Sequence, residues 1–409
     1  MMLLIGVTMY DQAIDTEVAR VNNHSRKLLN EYLKWDQKIK TGQAENTLYS
    51  DLIDFVNFRF ETVDTCLMLI EKEKIADALG LCRSILENYM LLMLMCRGHK
   101  YFRLQNLENK TTAEFNAYLL SQQQELEKRQ KAGNQSCLAV KKYPRAKRHL
   151  MYIFEGLKDQ SETDFKIPIH FFEFQEFYPE TMRLRDEDYF VYHLPSPSVT
   201  EAQKKHRQDT VFKYRHYLSY DALMQCLELN DIADKAAQTR IEAHYTFLGK
   251  YLHPTHNAAR NLHQRNNWHS RQTILGFDQP YEKTAILLAS LYVCFLLTGI
   301  LEEVAGLLEN APPRYISDAG TTELRSLTNQ THQSFNYFWF IFNEAPLYDK
   351  LIYCIHHVSN KELATLKHYH NIPSKKVPFN MSIYSHLKDA LSGWSNERCG
   401  DYISPLIRG

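Results

Sequence analysis

The chain has 409 residues, 44% of them hydrophobic, and its 48 Lys+Arg are balanced by 48 Asp+Glu. This is the composition of a globular protein with a large core, and it excludes a global field that would draw the whole surface to nucleic acid, so any such contact has to be local. Only 14 Gly and 13 Pro argue against a turn-dense β-sandwich or barrel.

The opening residues MMLLIGVTM lack the basic segment and small-residue cleavage site of a secretory signal. From Asp11 to Ile39 apolar residues (Ile14, Val18, Val21, Leu28, Leu29, Tyr32, Leu33) recur at three- and four-residue steps, which predicts an amphipathic helix. A second helix is expected over Tyr49–Glu71. A third runs from about Ile75 to Cys96. Its sequence ALGLCRSILENYMLLMLMC is apolar almost all round, as a helix central to a bundle is. A fourth starts at Thr111-Thr112, where Thr111 and Glu114 form a capping box, and breaks at Gly133.

The middle reads differently. Lys141 to His149, KKYPRAKRH, is a basic cluster, and Phe165 to Pro197 is aromatic, acidic and proline-punctuated, with no sustained helical period. Helices resume at the capping box Ser198/Glu201 and are expected over Thr200–Tyr217, Tyr220–Leu229 and Ile232–Leu252, where Pro254 ends the last. The uncharged run Thr284–Leu301 meets the minimum length of a membrane span. Glu302, Glu303 and VAGLLEN continue it with amphipathic spacing, so a buried core helix over Tyr281–Glu309 is expected and no membrane contact. C-terminal helices are expected over Thr321–Phe340, Leu347–His357, Lys361–Tyr369 and Ile383–Trp394. Very little reads as strand. The fold class expected is all-α: a helical bundle built from 1–140 and 199–310, an irregular insertion over 141–198, and a C-terminal helical region over 311–409. The eight cysteines form no CxxC pair, which fits reduced thiols in a cytoplasmic protein.

Three groups of residues could carry chemistry. Arg83 and Glu87 lie four apart on the third helix and so share a face; they either fix packing as an internal ion pair or line a polar pocket. Tyr245 and His253 lie eight apart near the end of a later helix, with His244 alongside, and a helix C-terminus favours an imidazolium. The stretch YLHPTHNAARNLHQRNNWH, from Tyr251 to His269, carries four histidines and two arginines. His253 and His256 have the spacing of helical metal ligands, but Pro254 intervenes and the stretch holds no carboxylate or Cys, so no metal or other cofactor is expected. His256, Arg260, Arg265 and Trp268 mix cations, an aromatic ring and amides, which suits RNA contact. A polar loop with one structural histidine also remains open. No Gly-rich phosphate loop, GxSxG elbow or HExxH is present, which argues against the NTPase, α/β-hydrolase and zinc-protease solutions.

The helix ALGLCRSILENYMLLML followed later by HYTFLGKYLHPTHNA resembles a family of bacterial helical proteins grouped with the HEPN superfamily. The resemblance rests on Arg83, Glu87, Tyr245, Gly249 and His253 and spans about 11–105 and 200–310. That family usually has Ser at the place of Gly249 and a small residue where this chain has Pro254. The resemblance implies a HEPN-like bundle, often dimeric, acting in bacterial defence or toxin systems as a metal-independent RNase. His253 would move protons and Arg83 would stabilise phosphorane charge, with Glu87 and Tyr245 beside them. A homodimer or a partner protein is the expected assembly. The superfamily's nuclease signature is an Arg and a later His with four to six residues between. Arg325-SLTNQT-His332 has that spacing and is an alternative site, although with 18 His in the chain such a match is expected by chance. The rival reading from another class is a non-catalytic helical interaction module.

Overall fold

The computed structural model describes residues 9–40, 48–98, 100–133, 137–144, 146–155, 177–178, 183–184, 219–253, 255–263, 280–313 and 315–398. The described chain is predominantly α-helical. The first three helices are α1 (Met9–Lys40), α2 (Leu48–Glu71) and α3 (Ile75–Arg97). A helix α4 (Thr112–Lys131) follows, then α5 (Tyr220–Leu229), α6 (Lys235–Leu252) and the short α7 (His256–Arg260). Next comes α8 (Lys283–Glu309), and the C-terminal part adds α9 (Thr322–Ser334), α10 (Leu347–His357), α11 (Asn360–Leu366) and α12 (Ile383–Arg398). The helix expected over Thr200–Tyr217 lies outside the described residues.

Helix α8 is the axis of the core. Every residue from Thr284 to Leu301 is buried, because α1, α2, α3, α9 and α12 all pack on it. A helix apolar on every side needs neighbours on every side, and here protein supplies them. Helices α3 and α8 are each long and apolar enough to cross a membrane, but the most apolar window of α8 is 100% buried inside the protein. Helix α3 packs between α8, α2, α5 and α6. Among the described residues Cys66, Cys82, Cys96, Cys137, Cys226, Cys294 and Cys354 form no disulfide.

The expectation of a mainly α-helical chain holds, and the expectation of very little strand is corrected by a three-stranded antiparallel sheet, formed by β1 (Lys100–Asn106), β2 (Cys137–Lys142) and β3 (His149–Glu155) in the order β1-β3-β2. Lys100 pairs with Glu155 and Asn106 with His149 across β1 and β3, while Lys142 pairs with Leu150 across β2 and β3. The amphipathic helix α4, whose Thr111 capping box forms as expected, covers the sheet. Leu107, Phe115, Val140 and Leu150 make a small core of their own there. Short strands with few β-branched residues gave no period-two signal. Of the basic cluster KKYPRAKRH, Lys141 and Lys142 therefore end β2 and His149 opens β3. Within the region expected to be irregular, Phe177–Tyr178 (β4) pairs with Arg183–Leu184 (β5).

A second correction concerns the helix expected over Thr321–Phe340. It stops at Ser334, and Tyr337, Phe338, Trp339, Phe340 and Ile341 are all buried. Phe338 and Phe340, two residues apart, both meet Tyr292 and Phe295 of α8, which positions i and i+2 of one helix cannot do from a shared face. The chain leaves the helix instead, and Asn343 holds the segment: it accepts from the Phe340 N–H at 2.7 Å and donates to the Phe338 carbonyl at 2.8 Å.

Glu303 of α8, its side chain 10% exposed, packs against Arg97, whose Nη2 lies 2.7 Å from its Oε1. Burial nonetheless pushes the Glu303 carboxyl up to about 7, with Arg97 pulling it down and Glu302 pushing it up. A carboxyl raised from about 4.5 to about 7 holds its proton longer folded than unfolded. Its contribution is then present below the lower value and lost as pH climbs to the upper one. Over that window, wild type should lose about 3 kcal/mol that a Glu303→Gln variant does not lose. Urea unfolding of both proteins at pH 5 and pH 8 measures this, and parallel pH dependences would refute it.

Candidate functional site at the α3–α6 seam

Helix α6 begins at Asp234, whose carboxylate accepts from the Ala237 N–H at 2.7 Å, and crosses α3. At the crossing Arg83 is only 7% exposed. Its Nη1 donates to the Tyr245 carbonyl at 2.9 Å and its Nε to Glu87 Oε1 at 3.2 Å. The guanidinium carbon lies 3.0 Å from the centre of the Tyr245 ring. Gly249 makes this possible: a Cβ there would sit 2.6 Å from Arg83 Nη1. The Tyr220 ring stacks on the other aromatic partner, Tyr245, at 3.7 Å. Burial raises the Tyr245 phenol, opposed by the Arg83 charge and reinforced by Glu87. The Glu87 side chain is 42% exposed, so the cluster opens to solvent on that side.

Arg83, Glu87, Tyr245 and Gly249 are thus brought together. His253 is not joined to them: it is the exposed C-cap of α6, with its N–H donating to the Gly249 carbonyl at 3.2 Å. It sits one helical turn, roughly 5 Å of rise, beyond Gly249. Among the described residues no hydrogen bond or ion pair links its ring to Arg83 or Glu87. His244 points the other way. It is fully buried, takes part in a 2.9 Å hydrogen bond with the Tyr292 hydroxyl through Nδ1, and lies among Phe338, Phe340 and Phe379. Burial first, then the Arg240 charge, pushes its imidazole down to about 3, so it stays neutral.

After His253 the chain turns. Thr255 N–H donates to the His253 carbonyl at 2.6 Å, and the Thr255 hydroxyl donates to the Lys250 carbonyl. Helix α7 then carries His256 and the exposed Arg260. His263 closes the turn by pairing with Tyr281 and stacking on its ring at 4.1 Å. Arg265, Trp268 and His269 lie outside the described residues. Among the described residues no group of three or more His, Cys, Asp or Glu is placed to hold a metal ion.

The alternative pair Arg325/His332 does lie on one face of α9, but each member faces a carboxylate of α8. Arg325 reaches Glu309 through Nε at 3.0 Å and Nη2 at 2.7 Å, and His332 Nε2 lies 2.9 Å from Glu302. The seven-residue spacing on α9 matches that of Glu302 and Glu309 on the antiparallel α8, so the pair ties the two helices together.

Tyr220 is the member of the cluster that sequence reasoning missed; nothing in the sequence spacing links it to Tyr245. Beside the stacked rings, a cavity of about 620 Å³ opens between α5 and α6. Among the described residues that line it, Asp221, Glu228 and Glu242 stand against Lys235 alone. No protein-family model, curated protein or solved structure matches the chain.

Proposed function

We propose that the protein acts on RNA through the turn that ends α6, as a HEPN-like helical bundle of a bacterial defence or toxin-like system would. The observation that carries this reading is the turn itself. Lys250, His253 and Arg260 are all exposed there, and no carboxylate occurs among the described residues from 246 to 263. In a chain of zero net charge this is a local basic surface able to meet phosphate. His253 is the proton carrier at the ribose 2′-hydroxyl, and Arg260 balances the charge that develops on phosphorus. Arg83, Glu87 and Tyr245 serve as a positioning clamp on the last turns of α6, because the Arg83 donors are already engaged within the seam.

Purified protein with a mixed RNA pool and EDTA tests this. His253→Ala is expected to abolish cleavage while retaining RNA binding. Arg260→Ala is expected to weaken binding and lower the salt slope by about 1. His332→Ala should leave both unchanged. Absence of both cleavage and salt-dependent binding in wild type would overturn the proposal.

A second reading is a non-catalytic interaction module. The carboxylate-lined cavity beside Tyr220 favours it, since that surface repels phosphate and suits a basic protein partner or a second copy. Sedimentation of wild type against Glu242→Lys separates the two, because only the interaction reading expects assembly to be lost.

A further inference from the structure

A second cavity, of about 240 Å³, lies at the C-terminal end of the fold, between α10, the segment after α11 and the first turns of α12. It is remote in sequence from the α3–α6 seam. Asp349 of α10 and His386 of α12 form its polar wall, and both are 8% exposed. His386 Nε2 stands 3.2 Å from Asp349 Oδ2. The two atoms are not aligned for a hydrogen bond, and each is buried without one. The fold thus leaves a buried carboxylate oxygen and a buried ring nitrogen facing the same cavity, each without a hydrogen-bond partner. Buried polar atoms left without a partner are unfavourable, and a ligand that supplies the missing donor gains by it. Asp389 adds a second carboxylate at the rim, and no Lys or Arg is among the described residues lining the cavity. The remaining walls are Tyr348, Tyr353 and apolar groups such as Ile352.

We propose that this cavity binds a small organic cation, a primary amine with a compact apolar or aromatic body. The ammonium would sit at the Asp349–His386 end, where its N–H groups can donate to the unpartnered carboxylate oxygen of Asp349. The body would lie against Tyr348, Tyr353 and Ile352, where aromatic faces favour a cation. At roughly 30 Å³ per water the cavity would otherwise hold about eight waters, the volume of a ligand of about ten heavy atoms. Anions are disfavoured by both carboxylates. The proposal is independent of the RNA reading and stands or falls separately from it.

The test is calorimetric titration of the full chain with 2-phenylethylamine, its neutral analogue 2-phenylethanol and the anion phenylacetate. The amine is expected to bind at least tenfold more tightly than the alcohol, and phenylacetate not at all. Asp349→Asn should remove the preference. Asp389→Asn, at the exposed rim, should weaken amine binding severalfold in a protein whose buried pair is intact. Ile352→Trp, which fills the exposed mouth, should block every ligand. Equal affinity for amine and alcohol, or no amine binding by the folded wild type, would overturn the proposal. So would amine binding unchanged in both aspartate variants.

Discussion

Gly299→Val is expected to destabilise the protein by about 3 kcal/mol or more, and Gly299→Ala by about 2 kcal/mol. Gly299 lies in the fully buried stretch of α8, and α3 approaches it so closely that Tyr89 occupies the space of a side chain. A Cβ at Gly299 would stand 2.5 Å from Tyr89 Cζ, 2.6 Å from its hydroxyl oxygen and 3.0 Å from Cε1. Carbon atoms repel steeply inside about 3.5 Å. Tyr89 has little room to retreat: it is 3% exposed, and the Phe342 ring meets it edge-on at 6.5 Å. The overpacking therefore has to move α3 against α8, the helix on which α1, α2 and α3 all pack. Thermal and urea unfolding followed by circular dichroism would give the size of the effect. Its cause is read from a cycle with Tyr89→Ala, which empties the contested space. In that background Gly299→Val should lose much of its cost, a coupling of about 1–3 kcal/mol. An equal cost in both backgrounds would mean the clash with Tyr89 is not what makes glycine necessary there.

That contact shows where sequence reasoning stops. The existence of α8 and its burial on all sides follow from the run Thr284–Leu301, because a stripe that never turns polar has to be surrounded. The bounds of α5 and α10 fall at Tyr220–Leu229 and Leu347–His357 as the pattern predicts, since both are short amphipathic stretches with clear limits. The need for glycine at 299 is invisible in one sequence, as it depends on which residue of α3 lies opposite. The sheet was illegible for a related reason. Its central strand HLMYIFE is apolar without strict alternation, its neighbour KYFRLQN is defined by pairing across more than forty residues, and CLAVKK joins it through an irregular register. The segment Phe335–Ile341 kept a plausible helical period, and only tertiary burial of consecutive aromatic residues overrode it.

The candidate site was legible to a similar degree. Arg83 and Glu87 sharing a face follows from a spacing of four, and their ion pair is present. The convergence of Tyr245 and Gly249 on them was reached only through a family resemblance, because contacts over some 160 residues leave no local mark. The placement of His253 outside the cluster had one sequence signal, Pro254, which pushes the preceding residue out of the helical conformation. It depends on the last turn of α6 closing with an N–H bond to Gly249 and then leaving the helix in an extended conformation.

The role assigned to the seam leads to the second large effect. Arg83→Ala is expected to lower stability by about 3 kcal/mol, through the loss of a charged hydrogen bond to the Tyr245 carbonyl and of the cation–π contact with its ring. Glu87 adds little to this cost, because its side chain is 42% exposed and water can replace the guanidinium. Arg83→Lys should recover less than half of the loss. One ammonium cannot donate to Tyr245 and Glu87 in the fixed geometry of the fork while also stacking on the ring. The decisive variant is Gly249→Ala. In wild type its Cβ would meet Arg83 Nη1 at 2.6 Å, and the guanidinium, held on three sides, has to yield part of its bonding. A net loss of about 1 kcal/mol is expected even though alanine is the better helix former. In the Arg83→Ala background nothing opposes the new methyl group, and the same substitution should stabilise the protein by up to about 1 kcal/mol. The sign of one substitution therefore reports whether Arg83 occupies the glycine's missing side chain. Two unfolding curves in each background decide it: a stabilising Gly249→Ala in wild type would show that the guanidinium moves aside freely, and the clamp on the turn carrying His253 would lose its physical basis.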